Sequence, residues 1–255
     1  MAKKPAGKTS PIVLLHGMGG SQADWKDAGR ALTGLTPYAF DLPGAGGEAR
    51  TSSTFDPPSL ARFVLAKMDA EGLETAALAG HSIGARVAGE VAALAPGRVT
   101  GLVLVGPVGA VPYGFTDKLK WKAMSRKSVL SSVPESSMRN AASYGFEGEG
   151  AGKKGFVERA LASRTGKDAS FVTTAVEKMV DGVLDAPALS ERLKGTKTPL
   201  LLLVGEKDPL SPPGDARKLL GSRPDARFVE LRGLGHYPQI EDPERVAKEI
   251  SGFMK

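Results

Sequence analysis

The chain has no cysteine, which excludes disulfides, thiolate metal sites and cysteine nucleophiles. Histidine is nearly as scarce. Only His16, His81 and His236 occur, so an imidazole that moves protons must be one of these three. Aromatic residues make up 6% of the chain and are scattered, which leaves no stacking platform for nucleic acid. Long hydrophobic runs are missing as well. The basic stretch Met1–Lys8 is followed by an apolar run, Ile12 to Leu15, too short for a signal peptide or a membrane span. The expectation is a cytoplasmic protein without a transmembrane segment. No internal repeat is visible, and no spacing of His and Asp suggests zinc.

What is present is an ordinary globular composition, 41% hydrophobic and 24% charged over 255 residues. That length suits one large α/β domain, or a domain carrying an inserted lid. The net charge of +6 is local. Residues 107–198 hold fifteen Lys/Arg against ten Asp/Glu and so contribute five of the six charges. A solvated basic surface accounts for this, with a partner-binding patch as the alternative.

Several short apolar runs read as strands buried on both faces, in the manner of a parallel sheet: 11–15, 35–40, 75–79, 99–105, 199–205 and 227–231. Helical patterns alternate with them. One runs from Ser21 to about Thr33, one from Pro58 to the stop at Gly72, one over 85–95, and one near 212–221. The last opens at Asp242-Pro243-Glu244, an N-cap with proline behind it. This alternation predicts a doubly wound, mostly parallel sheet of about six strands. Residues 108–198 break the rhythm, with helical patches at 115–129, 154–162 and 169–184 and a glycine-rich stretch, 144–155, that reads as mobile. The expected organisation is a basic tail over 1–10, a core over 11–107 and 199–255, and a helical lid over 108–198.

The pentapeptide Gly80-His81-Ser82-Ile83-Gly84 lies between a strand and a helix. A G-x-S-x-G at such a junction lifts the serine hydroxyl above the sheet and aims a helix N-terminus at whatever it attacks. Alone the motif is weak. Gly233-Leu234-Gly235-His236 follows the last strand, so His236 is free to act as general base for Ser82. His81, next to the serine on a tight turn, should point away from it. Asp208, just past the strand ending at Gly205, would hold the His236 tautomer. Glu206 competes, and Asp208 is favoured because the turn before Pro209 directs a short side chain inward. The oxyanion needs two N–H donors, for which the sequence offers Ile83 and, in the glycine-rich loop after the first strand, Met18.

These motifs, taken in order with Trp25 and Asp41-Leu42-Pro43-Gly44, resemble an α/β-hydrolase of the small, lid-bearing serine-esterase type over nearly the whole length. The order Ser82, Asp208, His236 is that of such enzymes. The resemblance implies a lid over an acyl pocket and neither metal nor organic cofactor. Two departures stand out. Only ten residues precede the first strand, so the N-terminal hairpin of larger members is expected to be missing. The loop after Asp-Leu-Pro-Gly reads Ala45-Gly46-Gly47 where the family usually carries His and Ser, which makes Asp41 an organiser of that loop. Other motifs fail: Gly17-x-Gly19 has Gln22 at the third glycine position of a dinucleotide site, and Gly152-Lys153 lacks both the leading glycine and the Ser/Thr of a P-loop.

Arg86 lies one helical turn past Ser82, where some lyases of this fold have arginine. It either binds a substrate carboxylate or pairs with a loop acid such as Asp41. Trp121, Met124, Phe146 and Tyr237 are candidates for the acyl pocket, or else for packing. The leading expectation is hydrolysis of small-molecule carboxylic esters through an acyl-enzyme. A C–C hydrolase or lyase on the same triad, with Arg86 holding an anionic substrate, is the alternative, and a non-catalytic ligand receptor the third.

Overall fold

A computed structural model describes residues 9–48 and 54–255. The basic stretch Met1–Lys8 and residues 49–53 of the loop after Gly44 lie outside the described residues. Among those described, six strands form one parallel sheet: β1 (Ser10–Leu15), β2 (Leu35–Phe40), β3 (Ala76–His81), β4 (Val99–Val105), β5 (Leu200–Gly205) and β6 (Arg227–Leu231). Their spatial order is β2-β1-β3-β4-β5-β6. The core helices are α1 (Lys26–Ala31), α2 (Pro57–Ala70) and α3 (Ile83–Leu94). Between β4 and β5 come α4 (Phe115–Ser125), α5 (Lys127–Leu130), α6 (Glu135–Ser143), α7 (Ala151–Thr165), α8 (Ala169–Asp185) and α9 (Leu189–Arg192). Then follow α10 (Pro213–Arg217), α11 (Pro238–Glu241) and α12 (Pro243–Phe253). No helix among the described residues is long and apolar enough to cross a membrane.

The continuous apolar runs make sense because the sheet is covered on both sides. Alternate residues of each central strand feed two cores. Val13, Leu15, Leu78, Leu102 and Leu202 pack with α2 and α3, and Ile12, Leu14, Ala77, Val103 and Leu201 pack with α1 and α12. The edge strands β2 and β6 are less buried and correspondingly less apolar. The chain runs from β1 outward to β2 and then back past β1 to β3. That reversal opens a crevice at the C-terminal ends of β1 and β3, where ligands bind in open α/β sheets.

The helical insertion leaves after β4 and returns to the neighbouring β5. Its ends are zipped together by Leu189 N–H to Gly109 O at 2.8 Å and Ser190 N–H to Ala110 O at 3.0 Å. Leu189 and Leu193 are fully buried in the main core, so α9 belongs to the layer beside α3. Two sequence expectations need correction here. The 115–129 helix is interrupted at Arg126, which turns extended (ψ 132°). The first helical segment likewise opens as a 3-10 turn, Gln22–Trp25, and α1 stops at Ala31 because Leu32 is extended (ψ 138°). Helix α6 escapes the sequence pattern, because it is short, none of its residues is fully buried, and its apolar side is only Met138 and Ala142 against the Phe156–Tyr237 core.

Candidate active site

β3 ends in a sharp turn. Ser82 has φ 54° and ψ −114°, the one positive φ of a non-glycine residue among those described. The flanking glycines are required by close approach. A Cβ at Gly80 would run into the Gly84 carbonyl, and one at Gly84 would stand 2.5 Å from the carbonyl oxygens of Leu15, the last residue of β1, and of His16 just after it. The turn therefore nests against the neighbouring strand. Ser82 N–H donates to Val105 O of β4 at 2.9 Å, which fixes the serine between two strands. Ile83 opens α3, so its N–H has no partner within the helix.

Asp208 follows β5 and His236 follows β6, so both reach the same sheet edge as Ser82. The imidazole Nδ1 lies 2.9 and 2.8 Å from the two oxygens of the Asp208 carboxylate. Asp208 is itself held in a turn, since its Oδ1 accepts Leu210 N–H at 2.9 Å and Ser211 N–H at 2.8 Å. Both side chains are shut off from solvent. Glu206 points elsewhere and accepts Gly233 N–H at the surface.

The loop after β1 is organised by His16. Leu42 N–H donates to its Nε2 at 2.9 Å, which leaves Nδ1–H to donate to Gly17 O at 2.8 Å. Asp41 takes the Gln22 N–H at 2.7 Å and its side-chain amide at 3.1 Å, tying the loops after β1 and β2 together. A cavity of about 360 Å³ opens beside them. Met18 and Ile83 line one end, Leu42 and Ala45 the side, and Val176 and Met179 of α8 the far wall. No cluster of three His, Asp or Glu placed to hold a metal ion occurs among the described residues.

Other candidate side chains stand outside that cavity. Arg86 is 1% exposed; it pairs with Glu90 at 3.3 Å and donates to Pro187 O at 2.7 Å, so its partner is neither a substrate nor Asp41. Burial lowers its pKa from the usual arginine range. Met124 is 53% exposed and Trp121 half-buried on α4, and neither reaches the cavity. Phe146 stacks on Tyr237 with ring centres 4.0 Å apart, and both belong to a small core with Phe156. They pack the insertion onto the loop that carries His236 rather than lining the void.

That loop has supports which sequence reasoning missed. His81 does turn from the serine, and its Nε2–H donates to the His236 carbonyl at 2.7 Å. Complete burial pushes its pKa well below the usual 6.5, so it is neutral. The Glu241 carboxylate accepts three backbone N–H groups: Gly235 at 3.1 Å, Tyr237 at 3.0 Å and Glu147 at 3.0 Å. Burial outweighs these bonds and raises its pKa. His236 N–H donates to Gly145 O at 2.6 Å. The glycine-rich stretch expected to be mobile is thus pinned to the histidine loop over Gly145–Glu147, and 151–155 is the first turn of α7. No sequence signal points to Glu241, because Glu147 lies 94 residues away.

A neutral buried His81 has a consequence for acid stability. Below pH 6.5 the unfolded chain takes up a proton at this position that the folded chain refuses. Stability therefore falls as pH drops, by at most about 1.4 kcal/mol per pH unit. Between pH 7 and 5, His81→Gln is expected to show a shallower loss of Tm than wild type. Parallel curves would contradict it.

Residues 12–249 match the alpha/beta hydrolase family. The chain belongs to that family. It is 29% identical over 256 residues to the dihydrolipoyllysine-residue acetyltransferase component of the acetoin cleaving system of Pseudomonas putida, covering 96% of this chain and 64% of that protein. The chain thus spans less than two thirds of that relative's length. It is 27% identical to a 2-hydroxy-6-oxononadienedioate/2-hydroxy-6-oxononatrienedioate hydrolase of Paraburkholderia phymatum, over 98% of this chain and 88% of that one. An esterase from Thermogutta terrifontis has the same fold, with a TM-score of 0.83 at 22% identity over 98% of this chain and 90% of the esterase.

Proposed function

We propose that the protein is a serine hydrolase that cleaves small carboxylic esters through an acyl-enzyme, with the insertion over 108–198 acting as a lid. The observation that carries this reading is the Asp208–His236 pair, buried at the sheet edge where the strained Ser82 turn ends β3. Ser82 Oγ attacks the ester carbonyl while His236 Nε2 takes its proton. Asp208 keeps Nδ1 protonated and stabilises the imidazolium. The Met18 and Ile83 N–H groups receive the oxyanion. His236 then protonates the departing alkoxide, and water, deprotonated by the same Nε2, releases the acid and restores Ser82.

C–C bond hydrolysis on the same triad is the second reading, supported by the name of the Paraburkholderia relative. The engagement of Arg86 by Glu90 and Pro187 removes the residue that favoured it in the sequence. A p-nitrophenyl ester should give a burst of nitrophenol matching the active-site concentration, and a fluorophosphonate should label Ser82. Absence of both would sink the proposal, and labelling without ester turnover would favour the C–C reading.

A further inference from the structure

The cavity carries a guanidinium of its own. Arg159 lies on α7, on the stripe with Ala162 and Ser163 that faces the void. Its Nη2 donates to Asp24 Oδ1 at 2.7 Å. Asp24 is the hidden partner, with a side chain 1% exposed against 42% for Arg159. Its other oxygen accepts Ser21 N–H at 3.0 Å, and it fills the space above Gly20 so closely that a Cβ there would collide with the carboxylate. Asp24 is therefore rigid, held behind the loop that follows β1, and it holds one edge of the guanidinium. Arginine has five N–H donors in a fixed fork. Asp24 engages one nitrogen, and Nε and Nη1 have no hydrogen-bond partner among the described residues. Lys167, just past the end of α7, lines the same cavity and has no ion-pair partner among the described residues. Asp168 is the single acid among the described lining residues.

The remaining walls are mostly apolar: Leu42, Val172, Ala175, Val176 and Met179. A volume of about 360 Å³ accommodates about a dozen groups of water or methylene size. A wholly apolar chain filling that space would gain nothing from the free donors of Arg159, which at 42% exposure would stay with water. A chain that ends in a carboxylate meets them, because the second Nη2–H lies parallel to either Nε–H or an Nη1–H and such a pair matches a carboxylate in two parallel bonds.

We propose that Arg159, oriented by Asp24 and assisted by the charge of Lys167, receives a carboxylate on the substrate's acyl chain. The substrate class is then the monoester of a short dicarboxylic acid. This rests on the serine-hydrolase reading and deepens it. The test compares p-nitrophenyl hydrogen adipate with p-nitrophenyl hexanoate, two six-carbon acyl groups that differ in the terminal carboxylate. Measured on one preparation, the ratio of their kcat/KM values is independent of the folded fraction.

Wild type is expected to favour the adipate at least tenfold. Arg159→Met should reduce the ratio by about 10- to 100-fold, the range for losing a hydrogen bond to a charged group. Asp24→Asn should reduce it with Arg159 still present, because the fork is no longer held. Should Arg159→Met fail to fold, Lys167→Met at its exposed position gives the same readout with a smaller fall. A wild-type ratio near one, or a ratio unmoved by these substitutions, overturns the proposal while hexanoate turnover keeps the hydrolase reading. Turnover of neither ester and no labelling of Ser82 would remove both.

Discussion

Asp208→Asn is expected to lower kcat by about 10⁴-fold with little change in the unfolding midpoint. The size follows from the tautomer. Asp208 Oδ1 already accepts the Leu210 and Ser211 N–H groups, at 2.9 and 2.8 Å. In asparagine the carbonyl must take that position to satisfy those donors, which turns the NH₂ toward His236 Nδ1. The imidazole then accepts at Nδ1 and carries its proton on Nε2, where it cannot take one from Ser82. The backbone turn and the buried volume are kept, so the protein should remain folded. Ser82→Ala should lose a comparable factor, and the double variant should be little worse than either, because the two act as a unit. The check is kcat on a p-nitrophenyl ester together with the rate of fluorophosphonate labelling. Near-normal turnover by Asp208→Asn would remove Asp208 from the triad.

The second large effect concerns stability. Glu90 is 1% exposed on α3 and receives two arginines: Arg86 at 3.3 Å and Arg192 at 2.6 Å. Arg86 is equally buried, its Nε has no hydrogen-bond partner, and its remaining contact is the Pro187 carbonyl. Removing the carboxylate charge leaves a buried guanidinium without its counter-ion, which costs about 3–5 kcal/mol. Glu90→Gln is thus expected to lower Tm on the order of 10 °C for a chain of this size. The companion variant, Arg86→Met with Glu90→Leu, should recover much of the loss, since a well-packed apolar pair often replaces a buried ion pair without penalty. Arg192, 31% exposed, can turn to solvent. Thermal melts of the three proteins decide it, and an unchanged Tm for Glu90→Gln would mean that water reaches the cluster.

Arg86 also shows where reading the chain stops. Its position one turn after Ser82 is visible in the sequence, but the direction of its guanidinium depends on Pro187 and Arg192, about a hundred residues later. The same limit applies to Phe146 and Tyr237, whose stacking joins the insertion to the histidine loop. Helix α6 carries one short apolar side, Met138 and Ala142, which packs only partly against the Phe156–Tyr237 core and is too small to mark the helix in the sequence. By contrast the strands Leu35–Phe40, Val99–Val105 and Arg227–Leu231 begin and end where their apolar or β-prone runs do. Burial against helices above and below demands such runs and turn residues interrupt them.

What the sequence by itself determines is the alternation of strands and helices, and the placing of Ser82, Asp208 and His236 just past strand ends. A parallel sheet sends all those ends to one edge, so local pattern suffices to bring these residues there. What only the tertiary structure decides is what surrounds them. The Asp24–Arg159 pair, the Glu147 N–H on Glu241 and the Gly145 carbonyl on His236 join segments 135, 94 and 91 residues apart. Such contacts depend on how the insertion docks on the sheet edge. That docking is set by side-chain packing among distant elements, which leaves no periodicity or spacing in the chain to read.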